Sequence, residues 1–247
     1  MSRGRYLGAV HVDPDALLSI VDALGAVELA EHDLSQVVDD ASAGVTTLMG
    51  ATGTGVMLAD DDAVLRYVSA TDPVAARLEE IQEQTGVGPC IDCVVANELV
   101  ITQDLTADDR WPLVGRALAG AGVRSLIGAP VLLGGAPIGS LNVYDAEPGR
   151  WDDSDLHAAG VLAASFSALL EQAVRVRSGD RLVDQLQRAL DHRVVIERAV
   201  GYLMATLGVD TIEAFNRLRT RARNERAPVA DVATRLLAER PDTANGW

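Results

Sequence analysis

The chain is 247 residues long, 48% hydrophobic, and has a formal charge of −15, which fits one large or two ordinary domains and disfavours a nucleic-acid partner for the chain as a whole. Its longest uncharged run, Ser125 to Tyr144, has membrane length but contains Pro130, Pro137 and Gly134-Gly135, so a β-hairpin explains it better than a membrane span. Two cysteines three positions apart exclude a disulfide framework.

From Asp15 to about Met49 the apolar residues recur at helical spacing: Leu17, Leu18, Val21 and Leu24, then Leu34, Val37, Val38, Ala41, Val45 and Leu48. Thr54 to Leu58 and Val64 to Ser69 read as strands joined by an acidic turn at Asp60 to Asp62. Pro73 starts a helix that runs to Glu83, Leu99 to Thr102 is a short strand, and Pro112 to Ala121 is a helix. Val123 to Leu133 and Pro137 to Tyr144 pair across Gly134-Gly135. A long helix begins near Asp153 and carries Leu156, Val161, Leu162, Phe166, Leu169, Leu170, Ala173 and Val176. After Ser178-Gly179 its stripe resumes with Leu182, Val183, Leu186 and Leu190, which is too apolar for an isolated connector and predicts pairing with a second copy as a coiled coil. Folding back on its own chain is the alternative.

Three short helices follow. Val195, Ile196, Ala199, Leu203 and Met204 mark the first, which Gly208 closes because glycine readily takes the left-handed conformation. Asp210 or Thr211 caps the second, which buries Ile212, Phe215, Leu218 and Ala222. Pro228 opens the third, with Val229, Val232, Ala233, Leu236 and Leu237 as its stripe. Helices this short must pack on one another to close a core.

Charge divides the chain in the same place. Residues 1–174 carry 8 Arg against 26 Asp and Glu, while residues 175–247 carry 13 Arg against 10, so the two parts balance at −18 and +3. The acidic part repels RNA and the arginine-rich tail attracts it. There is no lysine. Arginine suits phosphate through its planar fork and stacks on bases.

The stretch Ala189-Leu-Asp-His-Arg-Val-Val-Ile-Glu-Arg-Ala-Val-Gly-Tyr-Leu-Met204, with Glu213-Ala-Phe-Asn-Arg-Leu-Arg219 and Val229-Ala-Asp-Val-Ala233, resembles the ANTAR domain. Thr85-Gly-Val-Gly-Pro-Cys90, Asp104-Leu-Thr-Ala-Asp-Asp-Arg-Trp-Pro112, Gly122-Val-Arg-Ser-Leu-Ile-Gly-Ala-Pro-Val131 and Ile138-Gly-Ser-Leu-Asn-Val-Tyr144 resemble a GAF domain of the type that precedes ANTAR modules in actinobacteria. The resemblance implies an α+β fold: a GAF-like antiparallel sheet flanked by helices, a long connecting helix, and a three-helix ANTAR module. It divides the chain into an N-terminal extension (1–27), a sensor (28–174), a connecting and dimerisation helix (153–190) and an RNA-binding domain (185–240).

The function it implies is signal-responsive transcription antitermination, in which a homodimer binds tandem hexaloop hairpins in nascent transcripts. Splayed loop bases offer the stacking and edge contacts that a duplex hides. The expected RNA contacts are Arg193, Arg198, Arg217, Arg219, Arg221 and Arg223, all away from the expected apolar stripes. Val200 fills a position that is often lysine in the family. Nothing resembles a phosphorylated receiver, so control would come from a ligand, redox state or partner.

Cys90 and Cys93 have CxxC spacing beside an expected helix start, which admits a redox or ligand-lining role as well as buried structural thiols. A zinc site would need two more ligands, and none lies at a usual spacing. His11, His32, His157 and His192 are scattered, and no catalytic triad or carboxylate dyad assembles from spacing. Asp104, Asp108, Asp109 and Arg110 form the one suspect polar cluster. The Asn-Lys-Phe-Asp-Glu signature of cyclic-nucleotide GAF domains is absent. The expectation is therefore no enzyme, no cofactor, no metal, no membrane, a cytoplasmic location, and an unidentified small-molecule ligand of the sensor. Two rival readings stay open: a redox enzyme or sensor using Cys90, and a protein-interaction scaffold.

Overall fold

The computed structural model describes residues 12–29, 31–60, 64–176 and 181–239. Helix α1 (Pro14–Gly25) is capped by Asp13, whose side chain accepts from the backbone N–H of Asp15 at 3.0 Å. Helix α2 (Leu34–Met49) is capped in the same way by Asp33 and stopped by Gly50 at φ 55°. The helical run expected from Asp15 to Met49 is thus two helices, divided where Asp33 supplies a second cap.

Strands β1 (Gly53–Ala59), β2 (Leu65–Ala70), β3 (Val100–Thr102), β4 (Ser125–Leu133) and β5 (Ala136–Asp145) form one sheet in the order β2-β1-β5-β4-β3, antiparallel throughout. Gly134 and Gly135, at φ 57° and 83°, make the two-residue β4–β5 turn, which requires the left-handed region at both positions. Both central strands are buried along their length because each face is covered. Val56, Leu58, Leu141 and Val143 face one core, and Met57, Ala59 and Tyr144 face the other, as alternation along a strand demands. Helices α1, α2 and α6 (Asp153–Val176) cover the first face. Helices α3 (Pro73–Thr85), α4 (Pro89–Ala96) and α5 (Pro112–Leu118) cover the second. Helix α6 is long and apolar enough to cross a membrane, but Leu162, Phe166, Leu169 and Leu170 are spent on the sheet.

Helix α7 (Arg181–Leu207) departs from the expected extended connector. Its stripe residues Val183 and Leu186 are buried in this chain's own first core, and Ala189 joins the second. Gln185 Nε2 donates to Ala59 O at 3.0 Å, and Leu190 reaches the β4–β5 turn at Gly134. Helix α7 therefore crosses the end of the sheet from one face to the other. The periodicity of the stripe was legible, but what covers it depends on tertiary topology, and here it is the chain itself. Ser178-Gly179, the expected weak point, lies outside the described residues.

The second half of α7, with α8 (Thr211–Glu225) and α9 (Val229–Glu239), encloses a third core around Ile196, Ala199, Leu203, Leu218 and Leu236. Gly208 ends α7 at φ 68°, and Asp210 caps α8 by accepting from Glu213 N–H at 2.8 Å. Asp210→Ala should lower the unfolding free energy of this unit by about 1 kcal/mol in urea titrations followed by circular dichroism.

Candidate nucleic-acid interface

On α8 two arginine pairs sit one turn apart, and the pairs lie on opposite sides. A step of two residues turns about 200° around a helix, so Arg217 and Arg221 share one flank while Arg219 and Arg223 share the other. The first flank is turned away from the sensor. Arg217 Nε donates to Glu213 at 2.7 Å and Arg221 Nε to Glu225 at 2.6 Å, exposed pairs that hold the guanidinium groups close to the helix. Arg198 is exposed on α7.

The second flank faces the sensor domain. Arg223 Nη2 donates to the backbone oxygen of Thr85 at 2.7 Å. Arg219 Nη2 donates to Asn216 Oδ1 at 3.2 Å, while its Nε and Nη1 are buried with no acceptor. Burial, with the Arg223 charge adding to it and Asp92 opposing, lowers Arg219 to about 10. Arg193 on α7 is drawn in as well. Its Nη2 donates to Val94 O at 2.8 Å and its Nε to Glu197 at 3.1 Å, and burial outweighs Glu197 to lower its pKa.

Thus Arg193, Arg219 and Arg223 touch the sensor, Arg223 while remaining exposed, whereas Arg198 is exposed and Arg217 and Arg221 lie half-buried beside Glu213 and Glu225. The sequence reading that placed Arg219 and Arg223 on an exposed face holds for Arg223, which stays exposed while it touches Thr85, and is corrected for Arg219, which is half-buried against the sensor. Of Ile212 and Phe215, both expected in the core of the tail, Phe215 is only partly buried there and also packs on the α3–α4 core, and Ile212 packs on the α3–α4 core. Helix α8 has two apolar faces: Ala214, Leu218 and Ala222 serve the tail, while Ile212 and Phe215 serve the seam. The signal was present, since Arg219 lies four positions after Phe215, in line with that second stripe.

Inside the sensor a polar cluster is buried between α3, α4 and β5. Asn142 Nδ2 donates to Glu79 Oε1 at 2.8 Å, Cys90 N–H donates to Gln82 Oε1 at 2.9 Å, and Gln82 Nε2 lies 2.7 Å from Cys90 Sγ. Burial pushes Glu79 up to about 7, against the hydrogen bonds from Asn142 and Cys90. Cys90 and Cys93 are both buried, and burial pushes both thiols up, away from a reactive thiolate. Sequence reasoning missed Glu79 and Asn142. A glutamate beside Leu78 and Ile81 on the apolar side of α3 was the available clue.

The acidic cluster before Trp111 builds a loop. Arg124 pairs with Asp104 at 2.6 Å and holds it well below the usual carboxylate range, with Thr106 assisting. Arg110 pairs with Asp108 at 2.8 Å and lies over the Trp111 ring at 4.1 Å. Trp111 Nε1 donates to Asp92 at 2.7 Å. His157 is exposed, and no metal-ligating cluster occurs among the described residues.

A family model of the GAF domain matches residues 31–171, and one of the ANTAR domain matches residues 184–237. No curated protein matches the sequence. Among solved structures, the GAF domain from Acinetobacter phosphoenolpyruvate-protein phosphotransferase is similar at TM-score 0.52 and 17% identity, over 67% of this chain and 96% of that one. The phycocyanobilin-bound GAF domain from a cyanobacterial phytochrome gives 0.52 and 14%, over 66% and 98%. Free methionine-R-sulfoxide reductase from Neisseria meningitidis, in complex with its substrate, gives 0.51 and 19%, over 65% and 88%. At these identities the likeness shows the fold alone.

Proposed function

Since the chain belongs to the GAF domain family and carries an ANTAR domain, we propose that it is a signal-responsive antitermination regulator that binds paired hexaloop hairpins as a dimer. ANTAR is an RNA-binding antitermination domain and GAF a signal-sensing domain, so regulation through RNA is the premise. The finer reading concerns residues. The observation that carries it is the tail itself, a three-helix unit with its own core and with Arg198, Arg217, Arg219, Arg221 and Arg223 outside that core.

With Arg193, Arg219 and Arg223 held on the sensor, the docked arrangement offers RNA only half of its arginines. Full engagement requires α8 to leave α4, and a signal that biases this docking sets RNA affinity. Pairing two copies would present two modules to two loops. The thiols support a regulator over a redox enzyme, since both are buried with raised pKa values.

The test is a gel-shift titration of the full-length protein against a tandem hexaloop RNA and a stem-only duplex. Binding should depend on the loops and weaken by at least about tenfold between 50 and 200 mM salt, as counterion release requires. Affinity that ignores salt would favour a scaffold that docks a partner protein through apolar contacts.

A further inference from the structure

The seam between sensor and tail holds a half-open pocket of about 440 Å³. Its walls are chemically divided. Leu65 and Ile91 from the sensor and Phe215, Ala222 and Val229 from the tail supply an apolar lining, and Arg219, Arg223 and Arg226 supply three cations. Glu83 also lines it, but Arg66 already claims that carboxylate at 2.5 Å.

The guanidinium groups of Arg219 and Arg223 converge over Gly86. A Cβ added there would fall 2.2 Å from Arg219 Nη1 and 3.0 Å from Arg223 Nη2. Glycine serves twice at this position: its φ of 61° is left-handed, and its bare Cα lets two like charges approach the backbone. Like charges that converge on one backbone position repel each other unless an anion joins them. Arg219 Nε and Nη1, shielded from water with no acceptor, are donors left open for one.

We propose that this seam binds an organic phosphate monoester, with its dianionic head on Arg219, Arg223 and Arg226 and its apolar body against Ile91, Phe215 and Val229. A phosphate suits three guanidinium groups better than a single carboxylate, because it brings two charges and three acceptor oxygens to planar forks. The volume fits a small ligand. A ligand that touches both domains binds only the docked form, so it stabilises docking and opposes RNA. This last link rests on the RNA-binding reading. The site itself does not.

Calorimetry on the full-length chain with hexyl phosphate, inorganic phosphate and hexanol tests the site without RNA. Hexyl phosphate should bind at one per chain, at least about tenfold tighter than inorganic phosphate because its tail leaves water, and hexanol should not bind. Arg219→Gln with Arg223→Gln should weaken hexyl phosphate at least about tenfold and leave the circular dichroism spectrum unchanged. Equal affinities for hexyl and inorganic phosphate would overturn the proposal, as would undiminished binding by the double variant. Hexyl phosphate should also weaken the gel shift. If it binds while no RNA is bound under any condition, the RNA reading fails and the site stands.

Discussion

Replacing Gly86 with arginine in the full-length chain should tighten binding to a tandem hexaloop RNA by roughly 10- to 100-fold, the range expected of a docking equilibrium worth one to three kcal/mol. When only a fraction of molecules is competent, the apparent dissociation constant is the intrinsic one divided by that fraction. Here the competent molecules are those in which Arg193, Arg219 and Arg223 have left Val94, Gly86 and Thr85. A side chain at Gly86 begins 2.2 Å from Arg219 Nη1, and an arginine there adds a third cation against two. The substitution lies on the sensor, so no proposed RNA contact is changed.

Gly86→Asp is the paired control. It carries the same left-handed strain at φ 61°, about 1 to 2 kcal/mol, but places a carboxylate between the two guanidinium groups. Docking then strengthens and RNA affinity falls. Fluorescence anisotropy with labelled RNA reads both. Opposite shifts in the two variants support a closed state, and shifts of the same sign would show that the added Cβ or the backbone strain acts rather than the charge. Reversing Arg219 and Arg223 themselves cannot make this distinction, because it removes docking contacts and proposed RNA contacts together.

What the sequence made legible follows from what each signal measures. Periodicity located β1, β2, the β4–β5 hairpin and all three tail helices, because one-sided burial imprints itself locally. Glycines did the same for the chain reversals at Gly134-Gly135 and Gly208, whereas the cap at Asp33 that divides α1 from α2 went unread. Periodicity does not say which surface covers a stripe. Val183 and Leu186 announced burial but not that their own sheet would provide it. The arginines show the same limit. Arg219 falls in line with Phe215 and Arg217 does not, but only the path of α7 across the sheet end brings that line against Gly86. The Glu79–Asn142 contact joins positions 63 residues apart, so no local pattern could reveal it.

That buried carboxylate makes the strongest statement about stability. Glu79 is raised from 4.5 to about 7, so between those values the folded chain holds a proton that the unfolded chain has released. Stability from this group is complete below pH 4.5 and is lost as pH rises through 7, a swing of roughly 3 kcal/mol at 1.36 kcal/mol per unit. Glu79→Gln removes the titration and keeps an oxygen to accept from Asn142. Urea unfolding followed by Trp111 and Trp151, both in the sensor, should give nearly equal stabilities for the two proteins at pH 4, below the unfolded value of 4.5. At pH 8 the glutamine variant should be more stable by roughly 3 kcal/mol. Carboxylates that titrate in the opposite sense, Asp104 and Asp108 among them, are common to both proteins and cancel in the difference. Parallel pH profiles would mean that the Glu79 carboxylate ionises as readily in the fold as in water. The interior between α3 and β5 would then have to be wet, contrary to the complete burial of Glu79 and Asn142 that the packing requires.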